Sequence, residues 1–353
     1  MGYSEIKGDK LVFNFPEIGA DCALEVGFVR TLRLPDDNKE YGLPPGLGSF
    51  ELAHVDDHKK SLPASWARHG GAFLPMWQAE AMWLSFKAVG GWPFAIKIAA
   101  GKVNALTGEA WTEPLSEGGQ KQDYMVAPKQ PWIDGFCIAP GVVRQFVSMP
   151  QGAGYTAEEQ ITGKAEHGGL QIIAYPMASE ARDRLAPRRE KSFRGGGGGA
   201  AGMVYACSAS GAPMAAKRAL AAPAREMGLA AGGLMRQAIY EDPYAREGAE
   251  AWSQEGARCF VHLMDARDYQ RIVGRAPRSA APGPLEYQGH NLPWFDYYDP
   301  SGKELAGSSQ LAGLDSVAAL GVKLGEKPLP APGSAPRGPT VKIGPSKGLD
   351  GSW

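Results

Sequence analysis

The sequence predicts an α+β fold dominated by β structure, with antiparallel hairpins in a sandwich- or barrel-like arrangement and a few short helices. Three observations predict it. Apolar residues recur with a period of two through most of the first half. The chain carries 47 Gly and 28 Pro, which punctuate it with turns. Helical stripes are scarce.

Leu11, Phe13 and Phe15 alternate with polar neighbours before Pro16 and Gly19 break the run. Leu24, Val26, Phe28, Leu32 and Leu34 then share one parity, and only Arg30 interrupts it. That spacing turns one strand face to a core and the other to water. Around Pro75 to Phe86, Met76, Glu80 and Trp83 are spaced to share a helical stripe. Phe94, Ile96 and Ile98 form the next strand, with Ala100-Gly101 as a turn. Residues Phe136 to Met149 read as a hairpin turning at Pro140-Gly141, where one residue supplies a fixed φ and the next a positive one. Gly169 to Tyr175 closes the series.

From Glu180 to Arg194 the chain turns polar and basic, and five glycines follow at Gly195 to Gly199. This reads as an exposed junction or loop. Pro213 to Met227 is Ala-rich and reads as a helix, and Leu234 to Tyr240 as a strand. Cys259 to Met264 is a further strand, after which Asp265 caps a helix that stops at Gly274. Trp294 to Tyr298 reads as a strand, Ser316 to Leu320 as a helical turn, and the chain beyond Lys327 as an extended tail. The expected organisation is a β-rich domain over 1–180, a basic, glycine-rich linker or loop over 181–202, an α+β portion over 203–326 packed on the first, and a Pro/Gly-rich tail over 327–353.

Lys+Arg is 37 and Asp+Glu 38, for a formal net charge of -1. The basic surplus of a nucleic-acid binder is absent. No apolar run approaches the roughly 18 residues of a membrane span, and the start has neither a signal core nor Ser/Thr at position 6 for myristoylation. A soluble, cytoplasmic protein is expected. The four cysteines, Cys22, Cys137, Cys207 and Cys259, have no paired spacing, which implies reduced thiols.

Gly197, Gly199 and Gly202 formally match a dinucleotide fingerprint. The mechanism needs a strand before and a helix after, and that context is missing. No cofactor is expected. His54, Asp56 and His58, close to His69, form the most metal-like segment, since on a strand the first three would share a face. Lys59 and Lys60 oppose a cation there. His167, His262 and His290 stand alone. The aromatic distribution says more: of 9 Trp, those at 66, 77, 83, 92, 111 and 132 crowd one third of the chain. Indoles at loops and strand edges suit a groove that receives peptide side chains. The candidate peptide-binding residues are Trp77, Trp83, Trp92 and Trp132, with Lys97, Asp134, Arg144 and Gln145 as polar anchors.

The segments Arg68-His69-Gly70-Gly71-Ala72-Phe73-Leu74-Pro75-Met76, Pro131 to Gly135, Val143 to Pro150, Gly154-Tyr155-Thr156 and Gly168 to Ile172 resemble a family of bacterial and fungal proteins without an assigned function. Gly232 to Tyr244 and Arg258 to His262 look like its downstream portion. The chain is also similar to the peptide-binding proteins of crocagin biosynthesis, a bacterial pathway to a ribosomally made, modified peptide. That resemblance implies a protein that grips a precursor peptide and presents it to other biosynthetic enzymes. Such a peptide would bind by adding to a strand edge. The alternative is a metal- or thiol-dependent hydrolase or cyclase using the His54/Asp56/His58 loop.

Overall fold

The computed structural model describes residues 2–116, 121–185, 225–278 and 307–325. Its strands are β1 (Tyr3–Lys7), β2 (Lys10–Asn14), β3 (Ala23–Thr31), β4 (Glu40–Tyr41), β5 (Gly46–Ser49), β6 (Ala53–His54), β7 (Ala72–Met76), β8 (Ala81–Val89) and β9 (Phe94–Ala100). They continue as β10 (Val103–Asn104), β11 (Met125–Ala127), β12 (Trp132–Ile133), β13 (Gly135–Ala139), β14 (Val142–Pro150), β15 (Leu170–Pro176), β16 (Glu226–Arg236) and β17 (Ala257–Asp265). The helices are short: α1 (Val55–His58), α2 (Ala64–His69), α3 (Ala157–Thr162), α4 (Ser179–Leu185), α5 (Ala266–Val273), α6 (Ser309–Ala312) and α7 (Val317–Lys323). A 3-10 stretch covers Ala245–Ala251.

The fold is β-dominated α+β, as the alternation predicts. Its antiparallel pairings close on themselves: β8 with β14, β14 with β16, β16 with β17, β17 with β15, β15 with β9, and β9 with β11. After a short turn the same segment returns to β8 as β12. The β1–β2–β3 meander joins along the whole length of β3 against β8. One continuous core fills the interior, with Met82, Leu84, Ile96, Ile98, Leu170, Ile172, Val261 and Leu263 all sealed within it. Each such side chain contributes about 1.5–3 kcal/mol on burial. Among the described residues, no helix is long and apolar enough to cross a membrane.

Most sequence expectations map onto these elements. Phe13, Leu24, Val26 and Phe28 are fully buried on their strands. Arg30, the break in the apolar parity, is also buried; it ion-pairs with the buried Glu80 and stacks on Phe50 at 4.4 Å. The Pro140-Gly141 hairpin forms, with Gly141 at φ +70°. Asp265 caps α5 by accepting from the Arg267 N–H, and Gly274 ends it in the left-handed region.

Four readings need correction. Pro75 to Phe86 is not a helix. β7 ends at Met76, a turn with Ala79 at φ +67° follows, and β8 buries Met82, Leu84 and Phe86 at a period of two. Glu80 is consumed in that turn, where it takes the Trp77 N–H at 2.9 Å as well as Arg30. The end of the Ala-rich segment, Glu226 and Met227, opens strand β16, whose eleven residues run to Arg236. Ala238 to Tyr240 therefore lie beyond the strand read over 234–240. Glu180 to Leu185 belongs to α4, whose Arg182 lies 3.7 Å over the Trp92 ring. The glycine run, Trp294 to Tyr298, His290, Cys207 and the tail lie outside the described residues.

Extended segments without a full ladder partner are held by glutamine amides instead. Gln145 accepts the Leu34 N–H at 2.9 Å and donates to the Leu32 carbonyl at 2.8 Å. Gln237 does the same for Asp134 (2.9 Å) and Trp132 (3.2 Å). Both side chains are fully buried, so each replaces a missing strand bond on both sides of the peptide.

Candidate functional site

The candidate site lies on the outer face of β15 and β17, where α2 crosses them. On β17, Phe260 and His262 are two apart and share a face; on α2, Trp66 and His69 are three apart and share a side. The two pairs interleave. Trp66 stacks on His262 with centroids 4.5 Å apart, and His69 stacks on Phe260 at 4.8 Å. His69 and His262 are themselves near-parallel at 6.4 Å.

Glycines permit this approach. Gly70 caps α2 through its N–H to the Trp66 carbonyl at 2.8 Å, and Gly71 follows at φ +88°. A β-carbon on Gly71 would lie 2.2 Å from the Phe260 carbonyl oxygen. β7 then runs parallel to β17, pairing Ala72 with Val261.

His167 comes from the loop before β15 and meets His69 edge-on at 5.1 Å. The loop is pinned by the buried Glu158, whose Oε2 accepts the His167 and Gly168 N–H groups, each at 3.0 Å. Glu226, at the start of β16, accepts from Trp66 Nε1 at 2.8 Å. Trp66, His69, His167, Glu226, Phe260 and His262 line one small cleft.

Burial sets the protonation states. His69 is held below the usual imidazole range, first by burial and then by the positive charges of His167, Arg68, Arg258 and Lys102. Burial drives His262 down to about 4, against the opposing pull of its hydrogen bond to Gly70. That bond, Nε2 to the Gly70 oxygen at 3.0 Å, fixes the tautomer. A carbonyl only accepts, so Nε2 carries the proton and Nδ1 is the acceptor. Burial moves Glu226 the other way, raising its carboxyl above the usual range despite the Trp66 donor and His167.

The tryptophan-centred candidates do not assemble into one groove. Trp92 is sealed, with its N–H on Asp21 Oδ1 at 3.2 Å. Trp77 sits under Arg267 at 5.9 Å. Lys97 is fully buried and pairs with Asp123 at 2.6 Å, so it tacks down the segment after β10. Arg144 donates to the Gly232 carbonyl at 3.2 Å, and Gln145 is the clamp described above. Only Trp83, Trp132 and Asp134 come together. Trp132 pairs with Ser85 across β12 and β8, and its N–H reaches Asp134 Oδ2 at 2.9 Å.

The His54/Asp56/His58 grouping is undone by secondary structure. Only His54 is in a strand; α1 begins at Val55, so the three do not share a strand face. Asp56 pairs with Lys59 at 3.0 Å and His58 packs edge-on against Phe73. Among the described residues, no group of three or more His, Cys, Asp or Glu is arranged to hold a metal ion. Cys22, Cys137 and Cys259 are buried, and burial pushes the Cys22 thiol up to about 12 and that of Cys259 to about 11. Neither is a ready thiolate nucleophile.

Sequence reading missed His167, His262 and Glu226. The available signal was an aromatic residue and a histidine at helical spacing (Trp66, His69) and again at strand spacing (Phe260, His262). No family model matches the chain, nor does any curated protein or solved structure.

Proposed function

We propose that the histidine cleft is an acid–base site acting on a small carbonyl substrate. One observation carries this: a single cleft brings together an imidazole, His69, whose pKa is lowered and a carboxyl group, Glu226, whose pKa is raised, shifts that move a base and an acid toward each other as acid–base chemistry requires. In hydrolysis, His69 takes a proton from water as the water oxygen bonds to the carbonyl carbon. Glu226 gives its proton to the departing heteroatom as that bond breaks. His262, stacked under Trp66 and tied to Gly70, keeps the floor of the cleft rigid.

The test uses small activated esters. The rate should follow a bell in pH, because only the form with His69 unprotonated and Glu226 protonated is active. His69→Gln should remove the acid limb and lower the rate by about 100-fold or more. Equal rates in the two proteins reject the assignment.

A second reading, holding of a precursor peptide, is favoured by the Trp83/Trp132/Asp134 patch. There Trp83 Nε1 and Asp134 Oδ1 are buried without a protein partner. Calorimetric titration with a candidate precursor peptide should show Trp132→Ala weakening binding more than His54→Ala. No heat at high micromolar peptide, or equal losses, eliminates this role.

A further inference from the structure

We propose that the substrate of the cleft is a primary carboxamide, whose two N–H groups donate to the side-chain oxygen of Gln171 and to Nδ1 of His262. The inference rests on the acid–base reading of the same cleft and names the class of carbonyl compound it takes.

The sheet places Gln171. It lies on β15 directly opposite Phe260 of β17, so the two side chains share the face on which His69 stacks. His262 is two residues along β17 on that face, and all three line the cleft. Gly169, two residues before Gln171, lines it too and brings no side chain into it.

Backbone carbonyls fix what these two side chains can offer a ligand. Gln171 is 5% exposed, and its Nε2 donates to the Gly101 carbonyl at 2.7 Å. A carbonyl only accepts, so the amide nitrogen is committed to Gly101 and Oε1 is left over. The Gly70 carbonyl does the same for His262, whose Nε2 carries the proton and whose Nδ1 remains an acceptor. Burial preserves that neutral form of His262 near neutral pH. Among the described residues neither Gln171 Oε1 nor His262 Nδ1 has a partner, and neither atom is sealed from solvent. Each is open on the cleft that its residue lines.

Two acceptors held this way call for donors. An ester or a carboxylate has a carbonyl but no N–H, and its binding would strip water from both acceptors without replacing it. An alcohol or an amine donates but has no carbonyl. A primary carboxamide carries both on one flat group, which suits the near-parallel rings of His69, Phe260 and His262. In its hydrolysis the water oxygen bonds to the carboxamide carbon and a water proton passes to His69. The C–N bond breaks as Glu226 protonates the nitrogen, and the proton on His69 then returns to Glu226. Amide and water give a carboxylic acid and ammonia, with no other reactant.

The experiment follows the His262 Nδ1 nitrogen resonance of the full chain at pH 7 during titration with acetamide, N-methylacetamide or methyl acetate. The last two match in shape and differ in one N–H. Acetamide should bind tightest and methyl acetate weakest, with affinity falling about tenfold for each N–H lost. Gln171→Met removes the acceptor at similar length, and should weaken acetamide about tenfold while leaving methyl acetate unchanged. Methyl acetate binding as tightly as acetamide overturns the proposal, and so does the absence of a shift with all three. Both results leave the acid–base reading standing, because the ester rates of His69→Gln decide that reading separately. The wild-type series decides the substrate class whether or not the variant folds. Unaltered acetamide affinity in folded Gln171→Met overturns the contact with Gln171.

Discussion

Asp134→Asn is expected to raise the unfolding free energy at pH 8.5 by about 5 kcal/mol, while leaving it nearly unchanged at pH 4. Asp134 is 1% exposed and sits directly after β12. One carboxyl oxygen accepts from Trp132 Nε1, and the other is buried without a partner. Burial raises its pKa from 3.8 to about 8, and the Trp132 donor only partly offsets this. The native state therefore keeps a proton that the unfolded chain releases early. Between those two values the native state binds more protons, so stability falls as pH rises. The interval is about 4 units at about 1.36 kcal/mol each, which sets the magnitude. Asparagine retains an acceptor for the Trp132 N–H and is neutral at every pH. Urea midpoints at pH 4 and pH 8.5 test this, and coincident midpoints at pH 8.5 reject it.

The same residue shows where sequence reading ran out. Its place just after Trp132 makes Asp134 read as a polar anchor for a ligand. Its surroundings are instead supplied by Gln237, about a hundred positions away, whose amide holds both sides of the 132–134 segment. Period-two patterns were legible wherever one strand face meets the core and the other does not, as in β2 and β3. In β7, β9 and β15 every residue is buried, so alternation there no longer separates a core face from a solvent face. β8 was misread because Met76, Glu80 and Trp83 mimic a helical stripe. Glu80 instead lies in the β7–β8 turn, where it pairs with Arg30 of β3, fifty residues away.

The cleft was harder still, since α2, the loop before β15, and strands β16 and β17 each supply one or two of its members. No local spacing announces a site that exists only when β17 pairs with both β15 and β7. His54, Asp56 and His58 drew notice because they are adjacent in the chain. The start of α1 removes the strand face they were to share, while His69, His167 and His262 converge from three elements. Sequence adjacency favours loops that happen to be polar, and tertiary pairing decides which side chains share solvent.

Acidification from pH 6.5 to pH 4 is expected to cost the folded state about 3 kcal/mol through His262 alone. His262 is 4% exposed and its pKa is depressed to about 4. Between that value and 6.5 the unfolded chain takes up a proton that the native imidazole refuses, so stability drops as pH falls. The groups around it cannot shelter the charge. His69 and His167 add positive charge, burial raises the Glu226 carboxyl so that it ionises less readily, and Trp66 covers the ring. The Gly70 carbonyl is the one compensating group, and it already accepts from Nε2. Once His262 is charged, the favoured outcome is release of α2 from β17, which rehydrates the imidazolium and opens the cleft. His262→Gln should keep a donor for Gly70 and remove the acid sensitivity over this interval. Paired urea denaturation at pH 6.5 and pH 4 measures the difference, and exchange of the Trp66 indole N–H, which bonds to Glu226 between α2 and β16, reports the release directly. If both proteins lose the same stability, or the Trp66 indole N–H stays protected at pH 4 in the wild type, His262 is not the group that holds α2 in place.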